Sequence, residues 1–138
     1  MRVLIIDGQG GRIGRQLIEV ITKKHSDLHI TAIGTNSIAT SAMLKGGAHD
    51  AATGENAVIV ACRKADVIIG PLGIVIADSL LGEVSPAMAL AVSQADSVRI
   101  LIPMNRCENL IAGIDSQPLS SLIEDAVCKL ERIMSETH

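Results

Sequence analysis

The sequence predicts an α/β fold: a three-layer sandwich with a mainly parallel sheet of five or six strands, in one domain over residues 1–138. Short β-branched runs alternate with longer stretches of helical period, the order that places helices on both faces of a parallel sheet. The runs are nearly continuous in Val, Ile and Leu, as strands buried on both faces are. At 138 residues one domain is the expectation, because a chain of about 150 residues can bury roughly two-thirds of the surface it exposes when unfolded.

Strands are expected at Arg2–Ile6, His29–Ile33, a short one near Asp50–Ala52, Val67–Ile69, Val98–Ile102 and Leu110–Ile114. The first helix, from about Gly11 to Lys24, gathers Ile13, Leu17, Ile18 and Ile21 on one face. It closes on Lys23 and Lys24, charges that suit the negative end of its dipole. The second runs from about Ser37 to Lys45 and stops at Gly46-Gly47, a C-cap signal. Ala57–Ala61 has the composition of a strand, but Thr53 as N-cap with Glu55 and Asn56 in the first turn favours a helix. A short helix is expected around Asp78–Leu81 and another from Pro86 to about Gln94, Pro86 suiting a first turn after Ser85. The last helix, Pro118 to Met134, repeats Leu119, Leu122, Ile123, Ala126, Val127, Leu130, Ile133 and Met134 at three- and four-residue spacing. That face is expected to dock on the sheet, with a dimer seam as the alternative.

The chain has no Phe, Tyr or Trp although 48% of it is apolar, so its core is aliphatic throughout. Base-stacking nucleic-acid modules, aromatic cages, a sandwich with a buried Trp and a membrane protein with aromatic belts are all excluded on that ground. Twelve basic residues against 15 acidic give a net charge of -3, and no basic run exceeds Lys23-Lys24, so no nucleic-acid partner is implied. Cys62, Cys107 and Cys128 are odd in number and far apart, which points to a reducing compartment rather than a disulfide framework. The apolar run Val3–Ile6 is too short for a signal peptide. Val67–Ala77, interrupted by Gly70, Pro71 and Gly73, falls short of the roughly 20 residues that span a bilayer. A soluble, cytoplasmic protein without a membrane partner is the expectation.

The strongest chemical signal is Gly8-Gln9-Gly10-Gly11-Arg12-Ile13-Gly14, set directly after the first strand and opening the first helix. Glycines in that position permit a tight turn and let backbone N–H groups approach a phosphate at the positive helix end. The spacing is G-x-x-G-x-x-G through Gly8, Gly11 and Gly14. The bland alternative is a turn whose glycines serve only close packing.

The stretch Ile6 to Ile18 resembles the nucleotide-binding opening of dihydrodipicolinate reductase, in which a Gly-x-Gly-Gly-Arg-Met-Gly-Arg segment holds NAD(P)H; the likeness covers the first strand and helix only. Over nearly its whole length the chain resembles a family of short bacterial Rossmann-like proteins known only as a domain of unknown function. The stretches that carry this are Ile6–Gly11, Gly34–Lys45, Ala52–Ala57, Gly70–Ile74 and Ile102–Cys107. The first resemblance implies NADP or NAD as cofactor.

Two departures bear on that cofactor. A dinucleotide fold usually ends its second strand on an acid that binds the ribose hydroxyls, whereas here the position reads Gly34-Thr35-Asn36-Ser37. Thr35, Asn36 and Ser37 instead offer hydrogen bonds to a 2′-phosphate, which favours NADP. The other departure is Asp7, whose carboxylate sits where a pyrophosphate would approach. It can repel that anion, organise the loop by accepting its N–H groups, or hold Mg²⁺; the organising role ranks first and no metal site is expected.

In an open α/β sheet, ligands bind outside the carboxyl ends of the strands. Those ends carry Asp7–Gly14, Gly34–Ser37, Thr53–Asn56, Gly70–Gly73 and Pro103–Cys107, residues that also make ordinary turns. The cofactor-binding set is therefore Asp7, Gly8, Gln9, Gly10, Gly11, Arg12, Ile13 and Gly14, with Thr35, Asn36, Ser37, Gly70, Pro71, Leu72 and Gly73. Catalytic candidates are few. Cys107 follows Arg106, which can lower a thiol pKa, but no His is placed beside it and an unreactive thiol is the plainer reading. His25, His29 and His49 fall at the amino ends of strands, away from the crevice, and Asp78 and Glu83 read equally well as solvated charges. The expected function is binding of a phosphate-bearing nucleotide, NADP or NAD. Two readings stand: an oxidoreductase whose substrate site a second subunit completes, and a non-catalytic sensor resembling the nucleotide-binding regulatory domains of potassium channels. A homo-oligomer is expected because Leu72–Leu81 is hard to bury in one small core.

Overall fold

The computed structural model describes residues 1–103 and 109–136. The chain alternates strand and helix as β1 (Arg2–Asp7), α1 (Arg12–Lys24), β2 (His29–Gly34), α2 (Ser37–Lys45), β3 (Asp50–Thr53), α3 (Glu55–Cys62) and β4 (Val67–Pro71). A 3₁₀ turn (Leu72–Val75), α4 (Pro86–Gln94), β5 (Val98–Ile102) and α5 (Leu119–Glu136) complete it. The five strands pair in the order β3-β2-β1-β4-β5, all parallel. The order reverses between β1 and β4, which sets a crevice at the carboxyl ends of those two strands.

β1 explains the three layers. Val3 and Ile5 face one side, where Leu17, Ile18 and Ile21 of α1 and Ile123, Val127 and Leu130 of α5 meet them. Leu4 and Ile6 face the other, where Val58 of α3 and Met88 and Val92 of α4 close the layer. All four strand residues are at most 2% exposed, so each contributes about 1.5–3 kcal/mol of hydrophobic burial. The repeat read in the last helix is thus a sheet-docking face: Ile123, Ala126, Val127 and Leu130 are buried.

Several expectations need correction. Leu110–Ile114 is not a sixth strand: the Ile114 N–H turns back to the Ile111 carbonyl with Gly113 at φ 83, and a strand cannot contain that turn. Asp78–Leu81 is not a helix, because Asp78, Leu80 and Leu81 stand at φ 65, 55 and 56, in the left-handed region. Thr53 does not cap α3; it is the last residue of β3, its hydroxyl meets Thr40 at 2.7 Å, and Gly54 at φ 103 makes the turn. The 3₁₀ turn after β4 has no counterpart in the sequence reading. Pro103 is described, but Met104–Cys107 lie outside the described residues, Cys107 with them.

Candidate functional site

Asp7 ends β1, in register with Gly34 of β2, and its side chain is only 4% exposed. Its Oδ1 accepts the Gly8 N–H and its Oδ2 the Gly14 N–H, each at 2.8 Å, and the Ile13 N–H also bonds the carboxylate. The N-cap position of α1 is Gly11, which has no side chain to offer, so Asp7 does the capping from the strand. Burial pushes its carboxyl above the usual range, the N–H groups of Gly14, Gly8 and Ile13 pull it back, and the charge of Glu83 adds to the rise. Asp7 is thus built into the loop as its organiser.

The glycines have distinct tasks. Gly11 holds φ 74 and lies so near α2 that a Cβ would stand 2.8 Å from Ala39. Gly14 is buried where a Cβ would meet Met43 Sδ at 2.4 Å, so it lets α1 cross close to α2. Gly10 has nothing within 4 Å of its missing side chain. The N–H groups of Gly10 and Arg12 have no hydrogen-bond partner among the described residues, and the Arg12 guanidinium is exposed. The loop therefore keeps two backbone donors and a cation available after Asp7 has taken its share.

Thr35 and Asn36, at the end of β2, turn towards this loop. Asn36 caps α2 by accepting the Ala39 N–H at 2.9 Å and donates from Nδ2 to the Gln9 carbonyl at 3.0 Å. Ser37 is exposed at the first position of α2 and makes no hydrogen bond with its side chain among the described residues. Gly70 and Pro71 lie buried within β4; Leu72 and Gly73 begin the 3₁₀ turn. This last group launches residues 76–84, which double back over the crevice: the Ser79 hydroxyl donates to the Gly73 carbonyl, and the Asp78 N–H to the Val84 carbonyl at 2.7 Å.

Glu83, which the sequence left as readable equally well as a solvated charge, stands at the centre of this arrangement. Glu83 Oε1 accepts the Gln9 N–H at 2.8 Å, the Thr35 hydroxyl at 2.7 Å and the Asn36 Nδ2 at 2.7 Å. Burial alone would raise its carboxyl, but these three donors outweigh it and hold the group below its usual range. No local pattern announces it, since the donors lie 47 to 74 residues away along the chain. The acid absent from the end of the second strand arrives here from the far side of the crevice.

Elsewhere, burial pushes the Cys62 thiol up to about 11, so it is an inert core residue. His25 pairs with Glu131 at 2.8 Å and His29 with Asp50 at 2.6 Å, both remote from the glycine loop. A cavity of about 350 Å³ lies at the amino ends of the strands, with Arg2, His29, Asp50 and Lys64 among its walls. Among the described residues, no group of three or more His, Cys, Asp or Glu could hold a metal, and no helix is long and apolar enough to cross a membrane.

An open parallel sheet with a glycine-rich strand-to-helix loop at its central strand defines the class: a Rossmann-like α/β protein. The chain belongs to the family described as Domain of unknown function (DUF3842), which it matches over residues 2–135. No curated protein matches it. Among solved structures, it is similar to a dodecameric FMN-dependent UbiX-like decarboxylase from Escherichia coli O157:H7, at 16% identity and a TM-score of 0.46, over 96% of this chain and 75% of that one.

Proposed function

We propose that this protein binds a phosphate-bearing nucleotide, NADP or NAD, at the carboxyl ends of β1, β2 and β4, and that it acts as a nucleotide-sensing module. The observation that carries this is the free donor set of the glycine loop: the Gly10 and Arg12 N–H groups and the Arg12 guanidinium, beside the strand-order reversal. Phosphate oxygens bind these donors; the wall against the rings is aliphatic, because the chain has no aromatic side chain. The sensing role draws on the two carboxylates nearest the crevice. Asp7 has both oxygens taken by loop N–H groups, and Glu83, held below its usual range, is a weak base.

The oxidoreductase reading keeps one observation in its favour, the reductase-like run from Ile6 to Ile18, and absorbance time courses of NAD(P)H with a carbonyl panel decide between the two. Turnover would replace the sensor with an enzyme. Binding itself is tested by thermal unfolding with and without nucleotide, in wild type and Gly10→Asp. Gly10 is the position of choice because a side chain there meets nothing, whereas Gly11 would clash with α2. A nucleotide that stabilises wild type and not Gly10→Asp supports the site; equal stabilisation of both removes it.

A further inference from the structure

We propose that Glu83 is a built-in stand-in for a phosphate monoester: the Gln9 N–H, Thr35 hydroxyl and Asn36 amide form an anion site, and residues 77–83 are a strap that a phosphate ligand displaces. The proposal rests on the reading that the crevice takes a phosphate-bearing ligand, and it names how that site is regulated. Three donors from two different strand ends converge on one oxygen at 2.7–2.8 Å, while Oε2 has no partner among the described residues. Converging N–H and O–H donors that hold one anionic oxygen at these distances suit a phosphate oxygen as well as a carboxylate oxygen.

The placement agrees. The site is contiguous with the glycine loop, and Gly8 makes room for the strap: a Cβ there would stand 2.5 Å from Thr35 Oγ1, 2.9 Å from Leu80 Cδ1 and 3.0 Å from Glu83 Oε1. A second negative group cannot share these donors with Glu83, so phosphate enters by exchange. The strap is poised to leave. Asp78, Leu80 and Leu81 all hold left-handed φ, which branched aliphatic residues rarely adopt, and Leu81 is 97% exposed. Both ends stay anchored, Val84 buried in the core and the Ile76 N–H bonded to the Gly73 carbonyl; between them, Glu83, Leu80 and Ser79 fasten residues 77–83 to the crevice among the contacts described. Exchange of one anion for another thus converts ligand binding into release of an apolar segment, the two-state element that a sensor requires.

Calorimetric titrations of the full chain test this with inorganic phosphate, NADP and NAD as probes, on wild type, Glu83→Ala, Glu83→Ala with Thr35→Val, and Leu80→Ala. The expected result is at least tenfold tighter binding of inorganic phosphate and NADP by Glu83→Ala, with NAD, which lacks a monoester, unchanged. Adding Thr35→Val should cancel the gain. Leu80→Ala keeps the carboxylate but loosens the strap, so it should show a smaller gain and stands in if Glu83→Ala does not fold. Phosphate binding that is unchanged or weaker in both Glu83→Ala and Leu80→Ala overturns the proposal, Glu83 then being a fastening only. NADP bound equally by wild type and both variants also overturns it while leaving the nucleotide reading intact. Conversely, a gain for inorganic phosphate with no NADP binding upholds the anion site and defeats the nucleotide.

Discussion

Asp7→Asn perturbs the glycine loop at its organiser. The carboxylate takes the Gly8 and Gly14 N–H groups at 2.8 Å each from a position only 4% exposed. An amide keeps one oxygen but turns its own NH₂ onto an N–H donor. One charge-assisted bond is lost, about 1.5–3 kcal/mol, and a buried donor is left without an acceptor. Against this, burial and the charge of Glu83 both raise the Asp7 pKa despite its N–H partners, so removing the charge returns part of that cost. The net expectation is a loss of about 2 kcal/mol at pH 7, or roughly 8 °C at about 4 °C per kcal/mol for a chain of this size. Urea unfolding followed by far-UV circular dichroism reads it, since the chain has no Trp or Tyr to report. The pH dependence has a definite sign. Because the folded pKa lies above the ordinary 3.8, the stability from Asp7 is fully present below that value and fades as pH rises through the folded pKa. The gap between wild type and Asp7→Asn should therefore widen in acid. A variant as stable as wild type at pH 7, or a gap that narrows in acid, would mean that Asp7 does not organise the loop as a buried carboxylate.

Glu83→Gln should show the opposite slope: the folded pKa of Glu83 lies below the ordinary 4.5, so its contribution is present above that value and disappears as pH falls through the folded pKa. Wild type and Glu83→Gln should converge in stability in acid, and divergence in the same urea series would contradict the three-donor assignment. Gly70→Ala places a Cβ 2.4 Å from the Ile6 carbonyl oxygen of the neighbouring strand. Backbone cannot yield as a side chain does, so a loss of about 3 kcal/mol or more is expected by thermal unfolding, and a neutral variant would mean that β1 and β4 lie further apart. Leu81, Ile38 and Leu44 are 97%, 70% and 52% exposed, and a homo-oligomer is expected to cover part of that surface. Sedimentation velocity at micromolar concentration giving a monomer would reject it.

What the sequence made legible was whatever depends on neighbours along the chain. β1, α1 and α5 show in the periodicity because each buries a face set by residues three or four apart, or by a continuous apolar run. Asp7 as organiser of the glycine loop could be read because its acceptor role spans only seven residues. The rest is tertiary. Gly14 is a glycine because of Met43, and Thr35 and Asn36 serve a carboxylate 48 and 47 residues on, relations with no spacing rule. Asp78–Leu81 reads as a short helix from composition, but turn bonds such as Asp78 N–H to the Val84 carbonyl and Val84 N–H to the Ser79 carbonyl close it on itself, with Leu80 and Leu81 in a left-handed backbone. Leu110–Ile114 was misread for a related reason: apolar content signals a strand only where a neighbour offers a ladder, and Gly113 turns the chain first.

The glycine loop is the proposed ligand site. A titration of the isotopically labelled protein with NADP, followed by amide proton–nitrogen spectra, tests it directly, because glycine amides resolve well and mark the loop at Gly8, Gly10, Gly11 and Gly14. The largest shifts are expected at Gly10 and Arg12, whose N–H groups are free among the described residues, followed by Gln9, Thr35 and Asn36 as the strap gives way. Shifts confined to Arg2, His29, Asp50 and Lys64 around the cavity at the amino ends of the strands, or no shifts at all, would contradict it.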